Sequence, residues 1–130
     1  MFTLHPTLAA DTVELARWPL CRVLLMNDAR YPWLILVPTR PDLREIHDLD
    51  EADRGVLIEE IARASRALEA AFAPDKINVG ALGNMVPQLH VHVIGRRQGD
   101  DAWPGPVWGK HPPRPYSEAE LNELGDRLAL

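Results

Sequence analysis

The sequence predicts an α+β domain built on an antiparallel sheet, and two observations predict it. Short apolar runs rich in branched residues recur at strand length on either side of one long segment whose apolar residues repeat at helical spacing. The order of strands, a long helix, further strands and a terminal helix then gives a sheet layered with helices. A chain of 130 residues fits one domain, able to bury roughly two-thirds of the surface its unfolded form would expose. With 46% hydrophobic and 25% charged residues, the composition is that of a globular protein, neither disordered nor fibrous.

Each element has its own signal. Residues 11–16, DTVELA, read as a strand packed before the main pair or as a poorly formed helical turn. LCRVLLM at 20–26 and WLILVP at 33–38 are branched apolar runs separated by NDARYP, whose Asn, Asp and Pro suit a turn, so they read as antiparallel neighbours. Then the period changes. Over DLDEADRGVLIEEIARASRALEAAF, the residues Val56, Leu57, Ile61, Ala64, Leu68 and Phe72 recur at three- and four-residue steps, placing one stripe of a helix on the core. Asp50 ahead of Glu51 and Asp53 gives this helix a capped, acidic first turn. Pro74 stops it after about five to six turns.

KINVGAL at 76–82 returns to a strand pattern, GNMVP at 83–87 carries turn chemistry, and QLHVHVIGRR at 88–97 completes a hairpin. Residues 98–116 hold too much Gly and Pro for a regular element and read as an irregular surface wrap. Ser117 with Glu120 three residues on is a capping box, and Leu121, Leu124 and Leu128 share a stripe, so a terminal helix is expected over 117–128.

The charge balance narrows the partners. A net charge of −5 argues against sequence-independent binding to long nucleic acid, which rests on clustered Lys and Arg. Arg96 and Arg97 form the only dense basic spot, either a solvated strand end or a phosphate contact. The single cysteine, Cys21, excludes an internal disulfide and a thiolate cluster. The N-terminus lacks a basic start followed by an apolar core, and no apolar run approaches the roughly 20 residues of a bilayer span. A cytoplasmic protein without a membrane partner is expected.

QLHVHVIGRR carries the chemistry. In a strand, Gln88, His90 and His92 would share one face, with Leu89, Val91 and Val93 on the other. Three readings fit this row: a catalytic site, half of a metal site, or the polar side of a half-buried strand. A metal site needs further ligands, and His5, His47 and His111 stand in other segments without supporting spacing. A polar strand side is ordinary. A histidine pair aligned with Gln88, just after a Gly/Asn turn able to present backbone N–H groups, favours an anion-binding or nucleophilic site.

These residues resemble the signature of the histidine triad (HIT) superfamily, in which His–apolar–His–apolar–His is followed by two apolar residues. Positions 88–94 match all but the first histidine, which is Gln88 here. The likeness extends through LMNDARYPWLILVPTRPDLREIHDLDEADRGVLIEEI and covers roughly residues 20–96. The tail DDAWPGPVWG, with Trp103 and Trp108, is similar to a bacterial HIT-like hydrolase branch. A single HIT-like domain over 1–130 is implied, with its core at 20–96, a Gly/Pro-rich tail at 98–116 and the terminal helix at 117–128.

The resemblance implies a homodimer that binds a small-molecule nucleotide at the histidine strand and needs no cofactor or metal. The middle histidine, here His90, attacks the α-phosphorus to form a nucleotidyl-histidine, and the third, His92, contacts phosphate or leaving-group oxygens. A neutral imidazole suits this role when a hydrogen bond ties one ring nitrogen and aims the other's lone pair at phosphorus. In the family the tie is a main-chain carbonyl at the first triad position, so Gln88 leaves it available. Asn78 and Asn84 correspond to residues holding phosphate oxygens, and Asn27 to the residue taking the ribose hydroxyls. Two departures stand out. Gln88 can donate and accept hydrogen bonds but cannot titrate, and Trp33 stands where many members carry a histidine, either to stack on a base or to pack. The implied reaction is nucleotide hydrolysis or nucleotidyl transfer on a dinucleoside polyphosphate or nucleoside phosphoramidate. The alternatives are a nucleotide-binding or interaction protein with weak catalysis, and a histidine-pair metalloprotein.

Overall fold

The computed structural model describes residues 1–130. Its elements are α1 (Pro6–Asp11), β1 (Thr12–Arg17), β2 (Cys21–Met26), β3 (Trp33–Pro38), a 3-10 turn (Ile46–Asp48), α2 (Glu51–Phe72), β4 (Lys76–Gly80), β5 (Val91–Arg96) and α3 (Glu118–Leu128). The strands form one antiparallel sheet in the order β1-β2-β3-β5-β4. This is the α+β arrangement expected from the sequence.

The central strands are unbroken apolar runs because both faces of the sheet are covered. On one face Val23, Leu25, Leu34, Leu36, Val91 and Val93 pack with Leu57, Ala64 and Leu68 of α2 and with Leu124 and Leu128 of α3. On the other, Leu24, Trp33, Ile35, Val37 and Ile94 pack with Leu8 of α1 and with Val86, Ala102 and Val107. The second face is the one that carries His92.

Helix α2 runs as expected, with the Asp50 side chain accepting from the Asp53 N–H. Ala73 then takes a left-handed conformation (φ 46°) and Pro74 ends the helix. The core stripe is shifted. Val56 is 37% exposed, and Glu60 is buried in its place. The Glu60 carboxylate accepts from the N–H groups of Leu20 and Cys21 at 3.0 and 2.8 Å, which satisfies two buried donors at the start of β2. Helix α1 has no counterpart in the sequence reading. Pro6 opens it, and His5 caps it by accepting from the Thr7 N–H.

Two expectations are corrected. The histidine strand begins at Val91, not at 88, because the ladder with β4 ends at the pair Gly80↔His92. Ahead of it the Leu89 N–H donates to the Leu43 carbonyl at 3.0 Å, so Gln88 and His90 lie on the approach to β5. Arg96 is neither solvated nor free for phosphate: it is 1% exposed. Its Nε and Nη2 donate to Asp100 at 2.8 and 2.9 Å, and its Nη1 donates to Asn78 Oδ1 at 2.9 Å. A guanidinium this deep needs such pairing, since an unpaired buried charge is prohibitively costly.

That ion pair also anchors the irregular wrap of 98–116, which forms no helix or strand and is mostly exposed. Asp100 accepts further from the N–H groups of Arg97, Ala102 and Trp103, which turns the chain back over the second face. Ala102 and Val107 are buried there. At the other end of the tail, the Arg114 N–H donates to Asp28 and the Arg114 carbonyl accepts from Ala29. No helix is long and apolar enough to cross a membrane.

Candidate active site

His92 sits in β5 opposite Ile35 of β3, and Trp33, paired with Ile94, is its diagonal neighbour on the same face. The His90 ring lies beside it, with centroids 5.0 Å apart. Both histidines are 7% exposed. The pair expected from the sequence is therefore brought together, but inside the second core's rim.

The hydrogen bonds fix the tautomer of each neutral ring. His90 Nδ1 lies 2.7 Å from the main-chain carbonyl oxygen of Gln88. A carbonyl only accepts, so Nδ1 carries the proton and, in the neutral ring, the lone pair sits on Nε2. His92 Nδ1 lies 3.0 Å from the indole nitrogen of Trp33. An indole N–H only donates, so this Nδ1 carries the lone pair and, in the neutral ring, Nε2 carries the proton. Burial, and next the nearby His90, hold the His92 pKa down at about 3, which keeps the ring neutral. Neither Nε2 makes a hydrogen bond within the chain, and neither is sealed from solvent. One lone pair and one donor thus stand side by side.

Trp108 from the tail completes the wall. Its ring meets His92 edge to face at 5.3 Å, and a side chain at Gly80 would come within 3.0 Å of its indole. Gly80 is thus small because the tail rests on the strand. Beside His90 opens a cleft of about 270 Å³ whose lining includes Arg44, His47, Leu82, Gly83 and Gln88.

The remaining sequence candidates have definite surroundings. Gln88 does not touch the histidines through its side chain. Its Oε1 accepts from the His5 N–H and its Nε2 donates to the Thr3 carbonyl, both at 2.8 Å, which holds the N-terminal segment. Asn78 accepts from Arg96 through Oδ1, and Asn27, beyond the end of β2, accepts from the Tyr116 N–H at 2.9 Å. Each keeps its NH₂ group without a partner in the chain. Asn84 is exposed in the connection between β4 and β5. No group of three or more His, Cys, Asp or Glu side chains is gathered as a metal site. Sequence reasoning did not foresee the roles of Trp33 and Trp108 toward His92. For Trp33 the available signal was register: its position in WLILVP shares the parity of Ile35, the residue facing His92.

Comparison with known proteins bears on the family and the fold. The family model described as HIT domain matches residues 8–99. A histidine triad protein from Marinobacter aquaeolei VT8 is 52% identical, covering 98% of this chain and 93% of that one, with a TM-score of 0.97. One from Bradyrhizobium japonicum is 50% identical, with coverages of 98% and 96% and a TM-score of 0.96. A third, from Sinorhizobium meliloti 1021, is 46% identical, with coverages of 98% and 95% and a TM-score of 0.97. No curated protein matches the chain. The matched span takes in every strand and both histidines, and by it the chain belongs to the HIT domain family of histidine triad proteins.

Proposed function

We propose that this protein is a nucleotide hydrolase or nucleotidyl transferase that works through a nucleotidyl-histidine on His90. The observation that supports it best is the 2.7 Å contact between His90 Nδ1 and the Gln88 carbonyl, which leaves the Nε2 lone pair free to attack. Nε2 bonds to the α-phosphorus of a dinucleoside polyphosphate or nucleoside phosphoramidate as the bond to the leaving group breaks: the polyphosphate departs as an anion, and the amine of a phosphoramidate takes a proton from solvent as it leaves. The imidazolium so formed keeps its Nδ1 proton on the Gln88 carbonyl, whose dipole stabilises the new charge. Water, or another acceptor, then attacks phosphorus, loses its proton to solvent and releases His90. Splitting the displacement in two leaves positioning and charge stabilisation as the protein's tasks.

His92 is the donor toward a phosphate or leaving-group oxygen in this reading. The NH₂ groups of Asn78 and Asn27, oriented by their Oδ1 contacts, and the exposed Asn84 supply neutral donors for phosphate and ribose. The same reading carries a homodimer in the cytoplasm, with no cofactor, nucleic acid or membrane partner. The edge strand β4, where Val79 is 49% exposed, gives the second copy a place to pair.

One observation favours a second reading, nucleotide binding with little turnover. Both polar atoms of Gln88 are engaged by residues 3 and 5, so this position offers the histidines only its carbonyl. Mass spectrometry separates the two. The protein is incubated with an adenosine phosphoramidate or a dinucleoside polyphosphate and quenched at mildly alkaline pH, since phosphoramidates are acid-labile. A nucleotidyl adduct on His90 is expected; binding without adduct or turnover across several nucleotides sinks the enzymatic reading.

A further inference from the structure

Trp33 and His92 are both buried, at 5% and 7% exposure. Their contact, indole Nε1–H to imidazole Nδ1 at 3.0 Å, is the only hydrogen bond either ring makes. Reversing the His92 tautomer would set two N–H groups against each other. Protonating the ring would do the same and would add a charge among the rings of Trp33, His90 and Trp108, with no carboxylate in contact. Both alternatives leave a buried donor unpaired, and the cost of such a group exceeds what the bond itself contributes.

We infer that Trp33 is a positioning residue, which holds His92 as a neutral ring with its proton on Nε2, opposite in tautomer to His90. The two ring ties are of opposite sense: a carbonyl that accepts at His90 and an indole that donates at His92. The pair is thereby given unequal roles by its neighbours, since two identical imidazoles would otherwise compete for the same lone-pair position. Held this way, His92 gives a hydrogen bond and keeps its proton. It therefore stabilises an oxygen that departs as an anion, such as the phosphate of a departing nucleotide. This last step rests on the nucleotidyl-histidine reading, whereas the tautomer does not.

The test reads the tautomer directly. Two-dimensional long-range ¹H–¹⁵N spectra of the unmodified protein at neutral pH distinguish a pyridine-like from a pyrrole-like nitrogen on each ring. The expected pattern is a pyridine-like Nδ1 with a pyrrole-like Nε2 at His92, and the reverse at His90. A pyrrole-like Nδ1 at His92, alone or with a pyrrole-like Nε2, overturns the inference. In Trp33→Phe, which keeps an aromatic ring but no donor, His92 should populate both tautomers and adduct formation should slow by roughly tenfold. An unchanged His92 pattern in that variant also overturns it. If the nucleotidyl reading were wrong, the unmodified protein would show no adduct and yet retain the expected spectrum, so the two failures are distinguishable.

Discussion

The Asp100 carboxylate receives two hydrogen bonds from the buried Arg96 guanidinium, at 2.8 and 2.9 Å, tying the start of the tail to the end of β5. That contact, with backbone N–H groups adding to it, holds the Asp100 pKa at about 2. An unfolded aspartate titrates near 3.9. Because the folded value is depressed, the stabilisation is complete above about pH 4 and is lost as pH falls through about 2. Asp100→Asn should cost about 2–3 kcal/mol at neutral pH, since it leaves Arg96 without its counter-ion. Urea unfolding at about pH 7 and about pH 2.5 checks this. A deficit of the same size at both values would mean that the pair is not the source.

His92 gives a pH dependence of the same sign in a different window. Its folded pKa of about 3 lies below the roughly 6.5 of an unfolded histidine. Between these values the unfolded chain binds the proton that the folded site refuses. Stability therefore falls as pH drops from about 6.5, with a limiting slope on the order of 1.4 kcal/mol per pH unit. His92→Gln should flatten the decline in melting temperature between about pH 6.5 and 4.5. If the slope survives the substitution, another group is responsible.

Gln88 tests whether the first triad position works through its side chain or its backbone. Its amide holds residues 3 and 5, while only its carbonyl serves His90. Gln88→Ala should lose about 1–2 kcal/mol and speed hydrogen exchange at the His5 amide. Formation of the His90 adduct should continue at a similar rate. Loss of the adduct in a folded Gln88→Ala protein would show that the amide takes part in the chemistry.

What the sequence made legible follows from how local each signal is. Strands β2 and β3 stood out because branched apolar runs met turn residues at both ends, and α2 because its stripe persists over many turns. Helix α1 gave no period in six residues. Glu60 carries no local signal of burial, because its partners, the N–H groups of Leu20 and Cys21, lie some forty positions earlier. Arg96 misled for the opposite reason. Its partner Asp100 is only four residues away, yet nothing local says that the chain turns back to bury both. The histidine row was visible as alternation, whereas the opposite ties on the two rings come from Gln88 and Trp33, on different segments.

His90 carries the sharpest expectation. The sequence placed it on a polar strand face, where truncation would hardly be felt, but the residue is 7% exposed and packs against His92. His90→Ala should therefore cost about 1–2 kcal/mol while preserving the circular dichroism spectrum, because neither the β5 ladder nor either core cluster depends on its ring. Covalent nucleotide transfer should disappear altogether, since the adjacent imidazole cannot take over: His92 has its lone pair turned toward Trp33. His92→Asn should differ. It retains a short donor at that place, so the adduct should still form, at a rate lower by roughly ten- to a hundredfold. An adduct that persists in folded His90→Ala would move the nucleophile elsewhere. Equal losses in the two variants would instead mean that the rings act as one unit and that the division of roles between them is wrong.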